Sequence, residues 1–170
     1  MDDQKLITFA VPCYNSEKCM EHCIESLLPV RDRAQIIIID DGSSDRTGEI
    51  ADSYGEKYPE SVTVIHQENG GHGAGVNTGI RHAKGKYYKV VDSDDSLDTN
   101  ALIKVLYELE KFENDGAEID MAICNYVYVR SDCDHRWTMK YKNVFPEKKT
   151  VSWDETRRFR ISQYLMMHSV

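Results

Sequence analysis

Short apolar runs rich in β-branched residues alternate with longer amphipathic stretches as far as Val129. Each apolar run ends in a polar or glycine-rich turn, and the stretch after it has helical spacing. Ile36–Ile39 is an unbroken isoleucine run, which favours a parallel strand covered on both faces over an exposed antiparallel strand. The alternation predicts βαβ units with right-handed connections and a mostly parallel sheet.

The same pattern sets the bounds of each predicted element. The predicted strands are Leu6–Val11, Ile36–Ile39, Val62–His66, Tyr87–Val91 and Met121–Val129. The predicted helices are Ser16–Leu28, Asp45–Lys57, Gly75–Ala83, Thr99–Asn114 and Ser152–Met167. Ser16 is the expected N-cap of the first helix, and Pro29 marks its end. Leu102, Leu106 and Leu109 form one apolar stripe of the fourth helix.

The length of 170 residues is typical of one domain with a substantial core. From Arg130 onward the pattern weakens, and this stretch is expected to be a loop or an irregular excursion. The chain stops soon after a helical pattern and carries no capping signal there. We therefore expect a single domain over residues 1–170 that is a piece of a longer protein.

The charge balance argues against a nucleic-acid partner, because 29 acidic residues outnumber 21 basic ones and no Lys/Arg block is present. No apolar segment reaches the roughly 20 residues that cross a bilayer, and the N-terminus lacks the features of a signal peptide. Five cysteines without framework spacing fit a reducing compartment. We expect a cytoplasmic chain without a membrane segment, and membrane association of a longer protein stays open.

Cys19 and Cys23 are four residues apart on a predicted helix, with His22 between them. This spacing could hold a soft metal, but no source of the two remaining ligands is evident. Packing of both thiols as small apolar groups is the favoured interpretation.

Three polar clusters follow predicted strands: Pro12–Asn15, Asp40–Asp45 and Asp92–Asp95. In open α/β sheets, ligands bind beyond the carboxyl ends of the strands. The three clusters are therefore expected to meet on one rim of the sheet and to form a site.

The acidic cluster needs a neutralising partner, because carboxylates this close raise one another's pKa and destabilise the fold. Asp92 and Asp94 are two residues apart and so can face one point, with Asp95 turned away. Two hard oxygen ligands suit Mg²⁺ or Mn²⁺. The alternative is that these aspartates cap the helix near Thr99, a role that suits Asp95 and Asp98 best.

The second cluster combines turn chemistry with a candidate ligand contact. Gly42 permits a sharp exit from the strand, and Ser43, Ser44 or Asp45 can cap the next helix. Of Asp40 and Asp41, one is expected to point over the rim. Its carboxylate could accept a hydrogen bond from a uracil or thymine imide, on which Tyr14 could stack.

The glycine-rich stretch ENGGHGAGVNTG does not fit the known phosphate-binding loops. The G-x-G-x-x-G pattern fails because its last position is Val76 or Thr78, depending on the register, and no G-x-x-x-x-G-K-[ST] loop exists. What remains is a turn whose backbone amides could approach a ligand. His72 is either a phosphate or sugar contact or an exposed histidine in this turn.

Four motifs, VPCYN, IIIIDDGSSDRT, ENGGHGAGVNTGIRHAKGKY and VVDSDD, occur in this order and at these separations. Together they resemble family 2 glycosyltransferases of the GT-A fold, closely over Lys5–Thr99 and more loosely beyond. The resemblance implies a Rossmann-like nucleotide-diphospho-sugar transferase fold, in which helices flank a mostly parallel sheet. It also implies a nucleotide-sugar donor, usually a UDP-sugar, and transfer with inversion to a glycan, lipid-linked or other hydroxyl acceptor.

The resemblance also implies roles for individual residues. Pro12 and Tyr14 would line the base pocket, and Asp41 would contact the base edge. Asp92 and Asp94 would be the family's DxD pair for Mn²⁺ or Mg²⁺, with Asp94 the direct metal ligand and Asp92 nearer the ribose or the metal shell. His72 would contact the nucleotide.

Two departures from the family pattern are evident. Val76 stands where the family often has an arginine, so His72 or Arg81 would have to replace that phosphate contact. No acidic residue before Val170 is identifiable as the catalytic base, so the chain is expected to be the donor-binding portion of the enzyme. A catalytically silent sugar-nucleotide binding module is the alternative. A sugar-phosphate nucleotidyltransferase is disfavoured, because VPCYNSEK lacks a glycine-rich basic signature.

Overall fold

A computed structural model describes residues 5–129, 136–141 and 150–152. The chain forms two compact units, Met1–Lys111 and Phe112–Val170, which are described separately below. The prediction of a single domain over residues 1–170 stays a prediction.

The first unit contains a four-stranded sheet in the order β3-β2-β1-β4, in which every neighbouring pair is parallel. Its strands are β1 (Ile7–Cys13), β2 (Ala34–Asp40), β3 (Val62–His66) and β4 (Tyr87–Val90). This arrangement confirms the predicted mostly parallel sheet. All four strands end at the same edge, which is where the polar clusters begin.

The core lies around the two central strands. Every residue of β1 and β2 is buried, because helices cover both faces of the sheet. Pairing runs from Ile7 opposite Ala34 to Cys13 opposite Asp40, so the two strands end level with each other. The residues that follow them are therefore neighbours in space.

The residues that the structure describes contain four α-helices: α1 (Met20–Leu27), α2 (Thr47–Lys57), α3 (His72–His82) and α4 (Thr99–Asn114). A short 3-10 turn, Leu28–Val30, follows α1. The predicted stripe of α4 is confirmed, since Leu102, Leu106 and Leu109 are its buried residues. None of the helices among the described residues is long and apolar enough to span a membrane.

Three helix starts differ from their predictions, and α2 differs least, since it begins at Thr47 and not at Asp45. α1 begins at Met20 and not at Ser16, because the Ser16 hydroxyl bonds to Tyr14 and Ser93 and does not cap the helix. α3 begins at His72, three residues before the predicted Gly75. Glycine lowers helix propensity, but here the glycine-rich turn continues directly into the helix.

The second unit contains a two-stranded antiparallel sheet of β5 (Tyr126–Val129) and β6 (Arg136–Met139). The predicted strand Met121–Val129 was therefore too long, because the strand begins only at Tyr126. β6 lies in a stretch that was expected to be irregular. Its pairing with β5 is a cross-strand contact that residue type does not reveal. The predicted helix Ser152–Met167 lies outside the described residues except for Ser152.

Candidate nucleotide-sugar site

A cleft of about 460 Å³ opens at the carboxyl edge of the sheet in the first unit. It lies where the turns after β1, β2 and β4 meet the start of α3, as expected for an open α/β sheet. Its lining residues are Pro12, Cys13, Tyr14, Ser16, Asp41, Asn69, Gly71, His72, Gly75, Asp92, Ser93 and Asp94. The structure thus brings together all six residues that the sequence singled out, namely Pro12, Tyr14, Asp41, His72, Asp92 and Asp94.

The turns after β1 and β2 are held together by reciprocal hydrogen bonds. The Asn15 side chain accepts from the backbone N–H of Ser44 at 2.8 Å, and the Asn15 N–H donates to the Ser43 hydroxyl at 3.0 Å. Asn15 has a positive φ of 50°, which asparagine tolerates better than most residues. Its conformation therefore helps to hold the turn after β1 against the turn after β2.

A second pair of contacts joins the same two turns. Asp45 accepts from the N–H of Thr47 at 2.9 Å and from the N–H of Glu17 at 3.2 Å. The N-cap residue of α2 is Arg46, which makes no side-chain cap hydrogen bond, so none of the predicted candidates Ser43, Ser44 and Asp45 is the N-cap. Glu17 in return accepts from the N–H of Arg46 at 3.1 Å. Burial acts against ionisation of Asp45, but the hydrogen bonds from Thr47 and Glu17 outweigh it and lower its pKa.

Asp41 is a buried carboxylate that holds the glycine-rich turn. Its Oδ1 accepts from Gln67 Nε2 at 2.6 Å and from the N–H of Gly70 at 3.0 Å, while its Oδ2 accepts from the N–H of Gly71 at 2.8 Å. Burial favours the neutral acid, but the bonds from Gly70, Gln67 and Gly71 lower its pKa below the usual range. Asp41 is therefore an ionised lining residue at neutral pH.

A hydrogen-bond chain leads from Asp41 to α3. The amide of Gln67 accepts from the Thr78 hydroxyl at 2.6 Å, and that hydroxyl accepts from Arg81 at 2.7 Å. Arg81 was one of two candidates to replace the phosphate contact that Val76 cannot make. It is not among the cleft-lining residues, whereas His72, the other candidate, is.

Pro12 and Tyr14 line the cleft on the side of the turn after β1. Pro12 is the last residue but one of the buried strand β1, and a Cβ added to Gly75 would lie 3.1 Å from the Pro12 Cβ. This close approach brings α3 against the end of the strand. The Tyr14 side chain is 55% exposed, so its ring is accessible to a planar ligand.

The acidic turn after β4 supplies two carboxylates to the cleft. Asp92 and Asp94 line it and Asp95 does not, as expected. Partial removal of the Asp95 carboxyl from water, followed by the negative charges of Asp94 and Asp92, raises its pKa despite the opposing charge of Lys89. Asp98 accepts from the N–H of Ala101 at 2.8 Å, which confirms the predicted cap of α4.

The positive charge available to these carboxylates within the cleft is small. No lysine or arginine is among the described residues that line it. His72 approaches Asp92 most closely, with 3.7 Å between Nε2 and Oδ1. The cleft is therefore dominated by the carboxylates of Asp41, Asp92 and Asp94.

The donor set fits a hard divalent cation. Asp92 and Asp94 offer accessible carboxylate oxygens, which Mg²⁺ and Mn²⁺ prefer. Across residues 5–129, 136–141 and 150–152, no group of three or more His, Cys, Asp or Glu side chains is arranged to hold a metal. A cation at this turn would thus need ligands from a bound diphosphate and water, which is how Mg²⁺ is commonly held beside substrate phosphates.

Two buried thiols lie beneath the cleft. Cys13 lines it, and Cys23 donates from Sγ to the carbonyl of Asp92 at 3.5 Å. Burial, followed by nearby negative charge, raises the pKa of Cys23 to about 12; burial also raises the pKa of Cys13. Both groups stay protonated at neutral pH and act as packing and weak donor groups.

Six of the twelve lining residues had not been assigned individually to the site from the sequence: Cys13, Ser16, Asn69, Gly71, Gly75 and Ser93. Ser16 had been interpreted as a helix cap, and Ser93 had been given no role of its own. Their position within motifs that follow strands was the available signal. Their mutual contact joins residues 77 positions apart, so no local pattern could reveal it.

Solved structures of similar fold are glycosyltransferases. TarS of S. aureus superposes with a TM-score of 0.55 and 28% identity over 63% of this chain and 33% of that chain. A mannosyltransferase of Pyrobaculum calidifontis gives a TM-score of 0.55 at 23% identity over 64% of this chain and 32% of that chain. The fold is the GT-A fold, as the motifs implied.

The chain belongs to glycosyl transferase family 2, whose family model matches residues 8–169. It is 38% identical over 128 residues to the glycosyltransferase EpsJ of Bacillus subtilis, covering 75% of this chain. It is 41% identical over 131 residues to the glycosyltransferase GlyG of Streptococcus pneumoniae, again covering 75% of this chain. The chain spans 36% and 42% of the lengths of these two relatives.

Proposed function

We propose that this protein is a metal-dependent glycosyltransferase that transfers a sugar from a nucleotide-diphospho-sugar, with a UDP-sugar the favoured donor, to an acceptor hydroxyl with inversion. The acidic cleft carries the proposal, since three carboxylates line it and no lysine or arginine does so among the described residues. Such a cleft would repel a diphosphate unless a divalent cation bound with it. Family membership supports sugar transfer, and TarS has been solved with UDP-GlcNAc bound.

The base side of the cleft suits a pyrimidine imide. Asp41 has about four acceptor positions and uses three of them for Gln67, Gly70 and Gly71, so one remains for a base N–H. The accessible ring of Tyr14 would stack on the base, and Pro12 would form the adjacent wall. These contacts favour uracil, whose N3–H is a single donor.

Asp94 and Asp92 would hold Mn²⁺ or Mg²⁺, with Asp94 the direct ligand and Asp92 nearer the ribose or the metal shell. The cation would supply Lewis-acid stabilisation of the charge that develops on the leaving diphosphate. His72, opposite Asp92, would contact a phosphate or the sugar in place of the arginine that Val76 replaces.

In the proposed transfer, the acceptor oxygen attacks the anomeric carbon from the face opposite the diphosphate. The bond between that carbon and the diphosphate oxygen breaks, and its electron pair leaves with the nucleoside diphosphate. The acceptor proton passes to a general base. No residue among those described here is assigned as that base.

The test is calorimetric titration of the 170-residue chain with UDP, with and without Mn²⁺. For the wild type we expect Mn²⁺ to tighten UDP binding by about tenfold or more, because the cation offsets the repulsion between carboxylates and diphosphate. Asp94→Ala is expected to lose this metal response. Asp32→Ala is the matched control, since it removes the same charge from the exposed turn before β2, and it should behave as the wild type.

Two outcomes would contradict the proposal. Equal UDP binding by the wild type with and without Mn²⁺ would contradict the metal assignment. Tighter binding of GDP than of UDP would contradict the uridine assignment. The GDP titration is needed because the mannosyltransferase of the same fold was solved with GDP-Man and Mn²⁺.

A catalytically silent sugar-nucleotide binding module is the second candidate. It is favoured by the lack of an assigned base and by the chain's span of less than half of its relatives. A chain extended to the length of these relatives separates the two, because the silent module would bind donor without transferring or hydrolysing it. Sugar transfer by the extended chain would eliminate this candidate.

A further inference from the structure

The hydroxyls of Ser16 and Ser93 meet at 2.8 Å across the floor of the cleft. Ser16 belongs to the turn after β1, which carries Tyr14, and Ser93 is the residue between Asp92 and Asp94. Both line the cleft. This contact is therefore a direct side-chain link between the base side of the cleft and the acidic turn.

Ser16 is anchored independently of Ser93. Its backbone N–H donates to the Thr47 hydroxyl at 2.7 Å, and Thr47 is fully buried at the start of α2. Its own hydroxyl also contacts the carbonyl of Tyr14 at 3.3 Å. A hydroxyl carries one proton, so a consistent arrangement has Ser16 donating to Tyr14 and Ser93 donating to Ser16.

Other hydrogen bonds also hold this part of the chain near α1, since the N–H of Leu97, in the loop after the acidic turn, donates to the Ser26 hydroxyl of α1 at 3.1 Å. The Cys23 thiol reaches the carbonyl of Asp92 at 3.5 Å, a weak contact, and the N–H of Asp95 closes the turn on the same carbonyl at 2.9 Å. The Ser93 hydroxyl thus adds a short oxygen–oxygen hydrogen bond to a turn whose two carboxylates repel each other.

We propose that Ser16 and Ser93 are positioning residues, whose hydroxyl pair holds the acidic turn in register with the base side so that nucleotide and divalent cation bind cooperatively. This inference rests on the proposed function. A nucleoside diphosphate spans both turns, with its base beside Tyr14 and its phosphates beside Asp92 and Asp94. A turn held in place before binding loses less freedom when ligand and cation arrive.

The test measures the thermodynamic coupling between UDP and Mn²⁺ on the 170-residue chain. The readout is the UDP dissociation constant without Mn²⁺ divided by the constant with Mn²⁺. This ratio is the factor by which each ligand increases the affinity for the other. For Ser93→Ala we expect this ratio to fall by about 3- to 10-fold, the size of one neutral hydrogen bond. UDP affinity without metal should stay within about twofold of the wild type, because Ser16 keeps its contacts to Tyr14 and Thr47.

Three further variants test whether the hydroxyl pair is the cause. Ser93→Thr retains a hydroxyl and should recover most of the ratio. Ser96→Ala removes an exposed hydroxyl from the same loop outside the cleft lining, and it should leave the ratio unchanged. The double variant Ser16→Ala/Ser93→Ala should lose no more coupling than Ser93→Ala, since both substitutions remove the same contact.

The outcomes separate this inference from the function on which it rests. A wild-type chain whose UDP affinity does not respond to Mn²⁺ would overturn both. A wild-type chain that responds, together with Ser93→Ala responding equally, would overturn the inference alone. Loss of metal-free UDP binding in Ser93→Ala, without recovery in Ser93→Thr, would also overturn it, because it would indicate a general structural role.

Discussion

Gly42 lies in the turn after β2. The backbone before the glycine-rich turn comes so close to it that no side chain fits there. The φ of Gly42 is +71°, and a Cβ there would lie 2.8 Å from the backbone nitrogen of Asn69. The sequence predicted a sharp turn at this glycine, but the crowding by Asn69 is a tertiary effect. The close approach allows Gly70 and Gly71 to reach Asp41.

Gly42→Ala is expected to lower the free energy of unfolding by about 2–5 kcal/mol, combining a left-handed backbone conformation with overpacking. Gly116→Ala is the matched control, because Gly116 has a φ of +72° with nothing within 4 Å of an added Cβ. It should cost only about 1–2 kcal/mol. Urea unfolding followed by circular dichroism measures both, and equal losses would mean that the contact with Asn69 relaxes without cost.

A histidine between two carboxylates ties together β2, β3 and α2. His66 at the end of β3 lies 3.0 Å from Asp40 of β2 through Nδ1 and 3.0 Å from Asp52 of α2 through Nε2. The doubly protonated ring can donate to both. Hydrogen bonds to Asp40 and then Asp52 raise the pKa of His66 from its ordinary 6.5. Asp40 has a lowered pKa, because bonds from Ser43 and His66 outweigh its burial.

This bridge makes the stability of the first unit pH-dependent. A histidine with a raised folded-state pKa stabilises fully below its unfolded value near 6.5 and loses this contribution as pH rises through the folded value. The carboxylate of Asp40 loses its contribution as pH falls below its ordinary 3.8. The bridge is therefore strongest in the weakly acidic range between these values.

His66→Gln is expected to cost about 1 kcal/mol or less near pH 6, since the half-exposed ring is screened by solvent. The difference from the wild type should shrink as the pH rises from there through the raised folded-state pKa of His66, because the ring then loses its charge. Thermal unfolding across this range measures it. A difference that stayed constant with pH would show that the ring packs without carrying charge.

The net charge of the whole chain and the charge of the cleft both repel an anionic ligand. The chain carries a formal charge of −8, and the cleft adds three lining carboxylates without a lysine or arginine among the described residues. An anionic nucleotide is therefore repelled both at a distance and at the site. Salt screens this repulsion, with a Debye length of about 10 Å at 0.1 M.

The sign of the salt effect should consequently depend on the metal. Raising NaCl from about 20 to about 200 mM should strengthen metal-free UDP binding about twofold, because repulsion is screened. In the presence of Mn²⁺ the same change should weaken binding, because the attraction between cation and carboxylates is screened instead. Calorimetry measures both, and uncharged uridine is the control whose affinity should change little. Weakening of metal-free UDP binding by salt would indicate a positive subsite and contradict this account.

The sequence by itself indicated the parallel sheet, the family and six of the twelve residues that line the cleft. These features follow from local patterns, since the buried isoleucine run of β2 specifies a central strand and the residues after parallel strands must share one edge. Local order also fixed the cap at Asp98, whose carboxylate accepts from an N–H three residues later.

Only the tertiary structure decided how the site is held. The sequence could assign Asp41 to a ligand, but folding gives three of its acceptor positions to Gln67, Gly70 and Gly71. The folded chain also places the Ser16 hydroxyl against Ser93, where the sequence predicted a helix cap, and it pairs β6 with β5. Each of these joins residues that are distant or irregularly spaced in the chain. Periodicity and propensity describe neighbours along the chain, whereas these contacts exist only after the core has brought the turns together.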